Sequence, residues 1–247
     1  MKLLAVDIGN TNINFAIFEG KKIVKKFLIP AIEYNFKKLQ KFLLGDLVKD
    51  TIICSVVPKA TGIVEKDLLR ITGKPSYILG KNVSVPIKNL YRKPKQVGQD
   101  RLVNACAGVK LLGAPLIAVD FGTAITFDVI SKNGQYLGGM IIPGLNLSLN
   151  ALSEKTALLP KIRLGAPREF IGKDTKNSIL SGIVYGMASL TDDLVKRIKE
   201  KIGRNAKVIA TGGNIDLISR YCKELNKIDK DLTLKGLNWI YQENGNP

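Results

Sequence analysis

The stretch LLAVDIGNTNINFAIF, residues 3–18, decides the fold class of this chain. Both flanks alternate apolar and polar residues like β-strands, whereas the middle, Asp7-Ile8-Gly9-Asn10-Thr11, is small and polar. A tight hairpin needs only Asn-Gly or Asp-Gly at its apex. The additional carboxylate, hydroxyl and run of backbone amides therefore predict a turn with a role beyond reversing the chain.

A second copy of this pattern, LIAVDFGTAITFDVI, occupies residues 116–130. Its Asp120 lies about half the chain length after Asp7, and each aspartate ends a Val-containing strand and precedes a glycine by two positions. Self-similarity at such a period predicts two like-built halves. We place them at residues 1–113 and 114–247.

Strand-like runs alternate with segments of helical periodicity, which is typical of an α/β fold. The predicted strands are 3–8, 12–18, 51–57, 116–121, 124–130 and 207–210. The predicted helices are 33–44, 60–71, 101–112, 176–201 and 214–226. Residues 80–98 predict a long surface loop, and loops of that length are often functional. The glycine-rich segment 136–160 is interpreted as a packing and interface segment.

The composition excludes several classes of chemistry. Histidine is absent, so histidine triads, histidine-ligated metals and histidine general bases are excluded, and proton transfer is expected to depend on a carboxylate. The three cysteines are far apart and form no C-x-x-C, which predicts neither a disulfide framework nor a zinc site. No apolar run approaches the ~18 residues of a membrane span, and no signal segment is recognised. We expect a cytoplasmic protein without a membrane partner.

The formal net charge of +17 fits nucleic-acid binding, an anionic substrate or a lysine-rich solvated surface. The lysines are dispersed along the chain and aromatic residues make up only 6% of it. This distribution favours the solvated surface, so we expect no specific nucleic-acid partner.

A single Asp-x-Gly turn is most simply a hairpin with aspartate as the turn former. Two copies instead indicate turns whose backbone amides surround phosphate oxygens. The aspartate at each strand end would then hold a cation that the phosphates share, and Thr11 and Thr123 would add hydroxyl donors. A third glycine site, Thr211-Gly212-Gly213-Asn214, follows a short strand. Neither a Walker pattern nor G-x-G-x-x-G occurs in the sequence.

The segment VGQDRLVNACAG, residues 97–108, leads into the second half. Taken alone, Asp100 is most simply the N-cap of the following helix. Gly98, however, permits close approach of a ligand, and Arg101 could bind a carboxylate or phosphate bidentately. An acid at this position is the kind of group that a phosphoryl-transfer enzyme without histidine would use as its base. Asp174 or Thr175 is predicted to cap the long helix that follows them.

The chain resembles the type III pantothenate kinase family along essentially its whole length. Each marker alone is weak, whereas the series in this order is specific. The markers are Asp7-Ile8-Gly9-Asn10-Thr11, Tyr91 with Pro94, Gly98-Gln99-Asp100-Arg101, Asp120-Phe121-Gly122-Thr123-Ala124, Gly138-Gly139 with Pro143-Gly144, Thr156-Ala157 with Leu159-Pro160, Gly172-Lys173-Asp174-Thr175 and Thr211-Gly212-Gly213. Gln99 departs from the family, which usually has alanine there.

The resemblance implies the actin-like ATPase fold, with two duplicated ribonuclease-H-like halves and a nucleotide cleft between them. The first half would carry a phosphate loop and the pantothenate loop. The second would carry another phosphate loop, an interface segment and an adenosine-side Gly-Gly motif. The implied activity is ATP-dependent phosphorylation of pantothenate to 4'-phosphopantothenate, the first step of coenzyme A biosynthesis. The implied cofactors are ATP with Mg²⁺ and K⁺ or NH₄⁺, and the implied assembly is a homodimer.

The resemblance also assigns roles to individual residues. It makes Asp100 the proton acceptor and Asp120 the ligand of the monovalent cation. The ATP-binding residues would be Asp7, Ile8, Gly9, Asn10, Thr11, Asn12, Ile13, Asn14 and Thr123. The pantothenate-binding residues would be Tyr91, Gly98, Gln99, Asp100, Arg101 and Thr175.

Two alternatives belong to other functional classes. An ATPase or phosphatase of the same fold would transfer phosphate to water, although Asp100-Arg101 beside a substrate loop argues against it. A basic nucleic-acid-associated regulator is suggested by the net charge and by relatives of the family that are named transcriptional accessory proteins. No recognition helix or RNA-binding signature accompanies that charge.

Overall fold

The structure is a computed structural model that describes residues 2–244. The chain forms two compact units, and each contains one five-stranded mixed sheet. The first unit comprises the chain up to Ala107 together with the chain from Asp231 onward. The second unit is Gly108–Lys230.

The sheet of the first unit has the strand order β3-β2-β1-β4-β5. Strand β1 is antiparallel to β2 and parallel to β4, and β3 forms an edge. The strands are β1 (Lys2–Ile8), β2 (Asn12–Glu19), β3 (Lys22–Pro30), β4 (Val48–Ser55) and β5 (Tyr77–Ile78). The helices are α1 (Phe36–Leu43), α2 (Pro58–Thr72), α3 (Gln99–Leu112), which begins in this unit, and α7 (Leu232–Glu243).

The sheet of the second unit has the order β10-β9-β6-β7-β8. Its strands are β6 (Leu116–Phe121), β7 (Ala124–Ile130), β8 (Tyr136–Pro143), β9 (Lys207–Thr211) and β10 (Lys227–Ile228). Its helices are α4 (Leu145–Lys155), α5 (Thr175–Ile202) and the short α6 (Ile215–Ile218).

The two sheets share one topology. In each, the first strand pairs antiparallel with the second strand and parallel with the fourth, and the third and fifth strands lie at the edges. The predicted α/β fold with duplicated halves is therefore confirmed, and the repeated Asp-x-Gly sequence marks equivalent turns of the two halves.

Strand β1 is buried on both faces, which explains its nearly continuous apolar sequence. Leu4, Val6 and Ile8 pack into one apolar cluster of the first unit, whereas Leu3 and Ala5 pack into another, which includes residues of α3 and α7. Because side chains alternate along a strand, Asp7 lies on the face of Leu3 and Ala5. Its carboxyl group is thus directed towards the face that α3 covers.

The division into units differs from the predicted halves at both ends of the second unit. The predicted boundary after residue 113 assigned all of α3 to the first half and the C-terminal segment to the second. In the structure α7 packs on the first sheet, where Asn238 Nδ2 and Gln242 Nε2 donate hydrogen bonds to the carbonyl of Gly20 at 3.0 and 2.9 Å. A sequence repeat cannot reveal this return of the chain, because α7 has no counterpart within the repeated pattern.

The predicted helix over 214–226 is wrong beyond Ile218. Instead of continuing the helical ladder, the backbone amides of Lys223 and Glu224 donate to the carboxylate of Asp192 on α5, at 2.9 and 3.0 Å. This tertiary contact satisfies donors that a longer helix would have used. The elements that were not predicted are strands β3, β5, β8 and β10 and helices α4 and α7. None of the helices in residues 2–244 combines the length and apolar character that a membrane span requires.

Candidate active site

The first Asp-x-Gly turn joins β1 to β2. The amide of Gly9 donates to the carbonyl of Asn12 at 3.0 Å and closes the turn, while Asn10 and Thr11 are exposed at its tip. The carbonyl of Thr11 accepts a hydrogen bond from the amide of Ala31 at 2.9 Å. The turn is therefore fixed at both of its ends and presents its tip to solvent.

Asp7 is the penultimate residue of β1 and lies between the two neighbouring strands β2 and β4. In the strand register it lies opposite Asn14 of β2 and Cys54 of β4. Asn14 Nδ2 donates to Asp7 Oδ2 at 3.3 Å. These side chains lie on one face of the sheet and form the floor of the candidate site in the first unit.

Asp100 lies in the first turn of α3. Its Oδ1 accepts a hydrogen bond from the backbone amide of Arg101 at 2.8 Å. A Cβ atom at Gly98 would lie only 2.4 Å from this same oxygen. Glycine at position 98 is therefore required for the Asp100 carboxylate to occupy its place.

Asp100 does not occupy the helix N-cap. Helix α3 already begins at Gln99, and the amide of Leu102 donates to the carbonyl of Gly98 at 3.4 Å. An N-cap side chain accepts from an amide two or three residues further along, whereas Asp100 accepts from its immediate neighbour. Simple capping therefore does not account for the carboxylate.

Asp7 and Asp100 share one electrostatic environment. Burial and, to a smaller extent, the negative charge of Asp100 together raise the pKa of Asp7 to about 7, against the hydrogen bond from Asn14. Burial also raises the pKa of Asp100, while the neighbouring amide and guanidinium of Arg101 act in the opposite direction. The pKa of the Cys54 thiol is raised by burial and by both carboxylates. Perturbed acids that converge in this way are typical of functional sites.

The predicted loop 80–98 leads directly to this carboxylate. Tyr91 is held by a hydrogen bond from its amide to Asn89 Oδ1 at 2.9 Å. Gln99 packs its side chain over Gly80, where a Cβ atom would lie 3.1 Å from Gln99 Cδ. Arg101 is buried and only 8% exposed. The first unit thus contains the floor of the site, Asp100 and, preceding Asp100 in the chain, the loop that carries Tyr91.

The second Asp-x-Gly turn joins β6 to β7 in the second unit. A Cβ atom at Gly212, whose φ of +104° already favours glycine, would lie 2.4 Å from Asp120 Oδ1. A Cβ atom at Gly144 would lie 2.3 Å from the carbonyl oxygen of Thr123. Two glycines from later segments of the chain are thus packed directly against this turn. Thr123 itself is exposed.

A cavity of about 600 Å³ lies beside this turn. Asn214 connects the two features, since its backbone amide donates to the carbonyl of Phe121 at 3.1 Å and its side chain contacts Asn146 at 3.3 Å. The cavity is lined by Asn146, Asn150, Lys161, Ile162, Arg163, Leu164, Gly165, Gly213, Asn214, Asp216 and Leu217. The lining is mixed, with the basic Lys161 and Arg163, the acidic Asp216 and apolar side chains.

Thr175 lies in the second unit as the first residue of α5. The preceding Asp174 is the N-cap and accepts the amide of Asn177 at 2.8 Å, so the predicted cap of this helix is confirmed at Asp174. Thr175, Lys173 and Ser178 border a larger cavity of about 690 Å³. Leu152 and Leu159 line its apolar side.

The described residues include no group of three or more His, Cys, Asp or Glu side chains that could enclose a metal ion. Mg²⁺ in phosphoryl-transfer sites is commonly held by one or two carboxylates and the substrate phosphates. A partly buried carboxyl beside a turn of backbone amides, as at Asp7, fits that pattern. The described residues thus offer a carboxylate that could share Mg²⁺ with substrate phosphates, rather than a metal site enclosed by protein side chains.

Several contacting residues were not singled out by sequence reasoning. Cys54 lies beside Asp7 because β4 pairs in parallel with β1, which no local pattern specifies. Asn146, Lys161 and Arg163 line one cavity with Asn214 only in the folded second unit. The sequence did single out Gly144, because Pro143-Gly144 is one of the family markers, but it did not indicate that Gly144 packs against the second turn.

The fold defines the class of protein first. Solved structures with the same architecture include a Baf family protein of Campylobacter jejuni described as a transcriptional activator, with TM-score 0.59, 22% identity and 98% of each chain covered. A ROK family glucokinase from Streptomyces griseus, solved with glucose and AMPPNP, gives TM-score 0.55 at 13% identity and covers 98% of this chain and 100% of its own. The chain has the two-sheet fold of actin-like ATPases and ROK kinases.

Sequence relatives narrow this class to one family. A family model described as type III pantothenate kinase matches residues 3–197. Type III pantothenate kinases of Citrifermentans bemidjiense and Persephonella marina are each 40% identical to this chain. The alignments cover 98% and 99% of this chain and 99% and 100% of the relatives. The chain belongs to the type III pantothenate kinase family.

Proposed function

We propose that this chain transfers the γ-phosphoryl group of ATP to the primary hydroxyl of pantothenate and forms 4'-phosphopantothenate for coenzyme A biosynthesis. The observation that carries the proposal is the placement of Asp100, in the first turn of α3, over the face of the first sheet that carries Asp7, in a member of this family. Phosphoryl transfer depends on positioning and charge neutralisation more than on covalent chemistry. An enzyme without histidine can meet these needs with carboxylates and backbone amides.

Asp100 is the proposed general base. It lies at the end of the loop that carries Tyr91, and its raised pKa brings it closer to the pH at which it must accept a proton. Asp100 would accept the proton of the substrate hydroxyl as the new bond to phosphorus forms. Gly98, Gln99 and Arg101 would bind and orient pantothenate, with Tyr91 and Thr175.

The first turn, Asp7 to Asn14, is the proposed phosphate loop. Its fixed backbone amides would bind phosphate oxygens, and Asp7 would hold Mg²⁺ where it meets those oxygens. Mg²⁺ bound with ATP supplies neutralisation of the phosphate charge. Thr123 would contribute a donor from the second turn, and the cavity beside Asn214, with Lys161 and Arg163, would receive the nucleoside end of the nucleotide.

A coupled assay that follows ADP release tests the proposal. ADP release should depend on both ATP and pantothenate, and mass spectrometry should detect phosphopantothenate. ADP release of equal rate without pantothenate would favour the alternative of an ATPase on this fold. Absence of ADP release with both substrates present would contradict the proposal.

We further propose that a monovalent cation, K⁺ or NH₄⁺, binds at Asp120. A large monovalent ion can share phosphate oxygens with one carboxylate without the strict octahedral geometry that Mg²⁺ demands. The rate in K⁺ or NH₄⁺ buffer should exceed that in Na⁺ buffer several-fold, and Asp120→Asn should remove most of this difference. Equal rates of the wild-type enzyme in the two buffers would refute the site.

A homodimer is the proposed assembly. Large apolar side chains are exposed in the second unit near the glycine-rich segment, including Ile141 at 62%, Leu158 at 91% and Ile171 at 76%. Patches of this kind mark interaction sites, and a second copy of the chain is the proposed partner. Light scattering should give about twice the 27.0 kDa of one chain. A fully active species of one-chain mass at micromolar concentration would contradict this assembly.

We retain the cytoplasm as the proposed location, since Cys54, Cys106 and Cys222 form no disulfide with one another. Binding to nucleic acid is expected to be weak, non-specific and lost with added salt, because the positive charge is dispersed.

A further inference from the structure

Helices α3 and α7 approach each other unusually closely at Gly236. A Cβ atom at this buried position of α7 would lie 2.6 Å from Val103 Cγ1, 3.1 Å from Ala107 Cβ and 3.2 Å from the carbonyl oxygen of Val103. Glycine inside a helix is less favourable than alanine. Glycine at position 236 is therefore explained by the close packing of α7 against α3, which leaves no room for a Cβ atom.

A hydrogen bond one turn earlier fixes the alignment of the two helices. Thr233 Oγ1 of α7 donates to Asn104 Oδ1 of α3 at 2.7 Å. Asn104 is buried at 2% exposure. Since a buried polar bond tolerates little displacement, α3 is held in one axial position relative to α7.

These contacts lie on the face of α3 that carries Asp100. Residues three and four apart share one face of a helix, so Asp100, Asn104 and Ala107 form a single stripe. The packing against α7 therefore begins one turn away from the Asp100 carboxylate. A displacement of this part of α3 would be transmitted to Asp100.

Helix α7 is itself anchored to the sheet face that ends at Asp7. Leu234 and Leu237 pack in one apolar cluster with Leu3 and Ala5 of β1 and with Val103 of α3. The same helix thus contacts both the strand that carries Asp7 and the helix that carries Asp100. It fixes the placement of one carboxylate relative to the other.

We infer that Gly236 and Thr233 are positioning residues for the general base Asp100, although neither belongs to the substrate-binding segments. The inference rests on the proposed pantothenate kinase activity. Its consequence is that the C-terminal helix, distant in sequence from the site, determines catalytic rate rather than substrate affinity.

Gly236→Ala tests this role. The new methyl group requires α3 or α7 to move by on the order of 1 Å, because carbon atoms pack at about 3.5–4.0 Å. Misplacement of that size can cost about 10²-fold in rate, so we expect kcat to fall by roughly 10- to 100-fold. The KM for ATP should stay within about two-fold, since the first turn is untouched. Gly62→Ala, an α2 position with open space around its Cβ, is the matched control.

Rescue separates positioning from general damage. Val103→Ala removes the Cγ1 methyl group that the new Cβ atom at position 236 would strike, whereas the milder contacts with Ala107 Cβ and the Val103 carbonyl oxygen remain. The double variant Gly236→Ala/Val103→Ala should therefore recover part of the lost kcat, at least several-fold, even though Val103→Ala also removes core packing. Thr233→Val keeps the side-chain size but removes the hydrogen bond to Asn104. We expect it to lower kcat roughly three- to ten-fold while the KM for ATP stays unchanged. A cooperative thermal transition should show that the variant is folded.

The inference is overturned if folded Gly236→Ala keeps kcat within two-fold of the Gly62→Ala control, or if the double variant recovers nothing. If Gly236→Ala does not fold, the decision falls to Thr233→Val, and an unchanged kcat there is the contrary result. A wild-type enzyme without pantothenate-dependent ADP release would instead reject the proposed function. An active wild type with insensitive variants would reject the positioning role alone.

Discussion

Asp100→Asn is expected to lower kcat by about 10²- to 10⁴-fold, the range typical of a lost general base. Asparagine keeps the size of the side chain and can still accept the hydrogen bond that Asp100 Oδ1 receives from the amide of Arg101. It cannot accept the proton of the substrate hydroxyl. ATP should bind with nearly wild-type affinity, because the substitution leaves the first turn unchanged, including the hydrogen bond between Asn14 and Asp7.

Steady-state kinetics with pantothenate, together with calorimetric titration of ATP, measure the two effects separately. Asp193→Asn is the matched control, since it removes a carboxylate whose ion pair with Arg197 is exposed and contributes little. If Asp100 served only to accept the hydrogen bond from the amide of Arg101, asparagine would serve nearly as well. An Asp100→Asn rate within a few-fold of wild type would therefore reject the assigned base while leaving the family unchanged.

The fold could be predicted where its determinants are local. The Asp-x-Gly turns at Asp7 and Asp120 follow directly from short polar interruptions between strand-like runs, and their repetition predicts the duplicated topology. Edge strand β3 was not predicted because its paired lysines obscure the alternation. Helix α7 was not predicted because Gly236 lies within it, and its packing against α3 supplies stability that propensity does not.

In the candidate site, too, the sequence predicts local features but not contacts between distant segments. Asp100 and its relation to Gly98 are local, so the sequence could nominate both. The positions of Cys54 and Gly236 depend on a parallel strand pairing and on a helix that returns from the far end of the chain. Sequence order carries no information on such contacts between distant segments, and they were found only in the folded unit.

Asp7→Asn is expected to reduce catalysis and to stabilise the unliganded protein. The proposed roles of Asp7 in holding Mg²⁺ and orienting phosphates predict a loss of roughly 10²- to 10³-fold in kcat, comparable to losing one preorganised charge-stabilising group. Unlike Asp100→Asn, this variant should also weaken Mg²⁺-dependent ATP binding. Calorimetric titration of ATP with and without Mg²⁺ distinguishes the two variants.

The stability effect follows from the raised pKa. Burial, aided by the charge of Asp100, raises the pKa of Asp7 from 3.8 to about 7 in the folded state. The folded protein therefore binds a proton that the unfolded chain releases, and stability falls as the pH rises from about 4 through 7. Asparagine at position 7 has no charge to bury. The variant should match the wild type near pH 4 and exceed its free energy of unfolding by on the order of 2–4 kcal/mol at pH 8.

Thermal unfolding of both proteins without nucleotide, at pH 5 and pH 8, measures this difference. Asn14→Ala provides a contrast, since it removes the hydrogen bond to Asp7 Oδ2 that favours the charged carboxylate and should destabilise the wild type further at pH 8. A melting temperature of Asp7→Asn that equals or falls below that of the wild type at pH 8 would show that the Asp7 carboxylate is not strained by burial. A gain in stability joined to a loss of activity would instead identify Asp7 as a charge that the fold tolerates for the sake of catalysis.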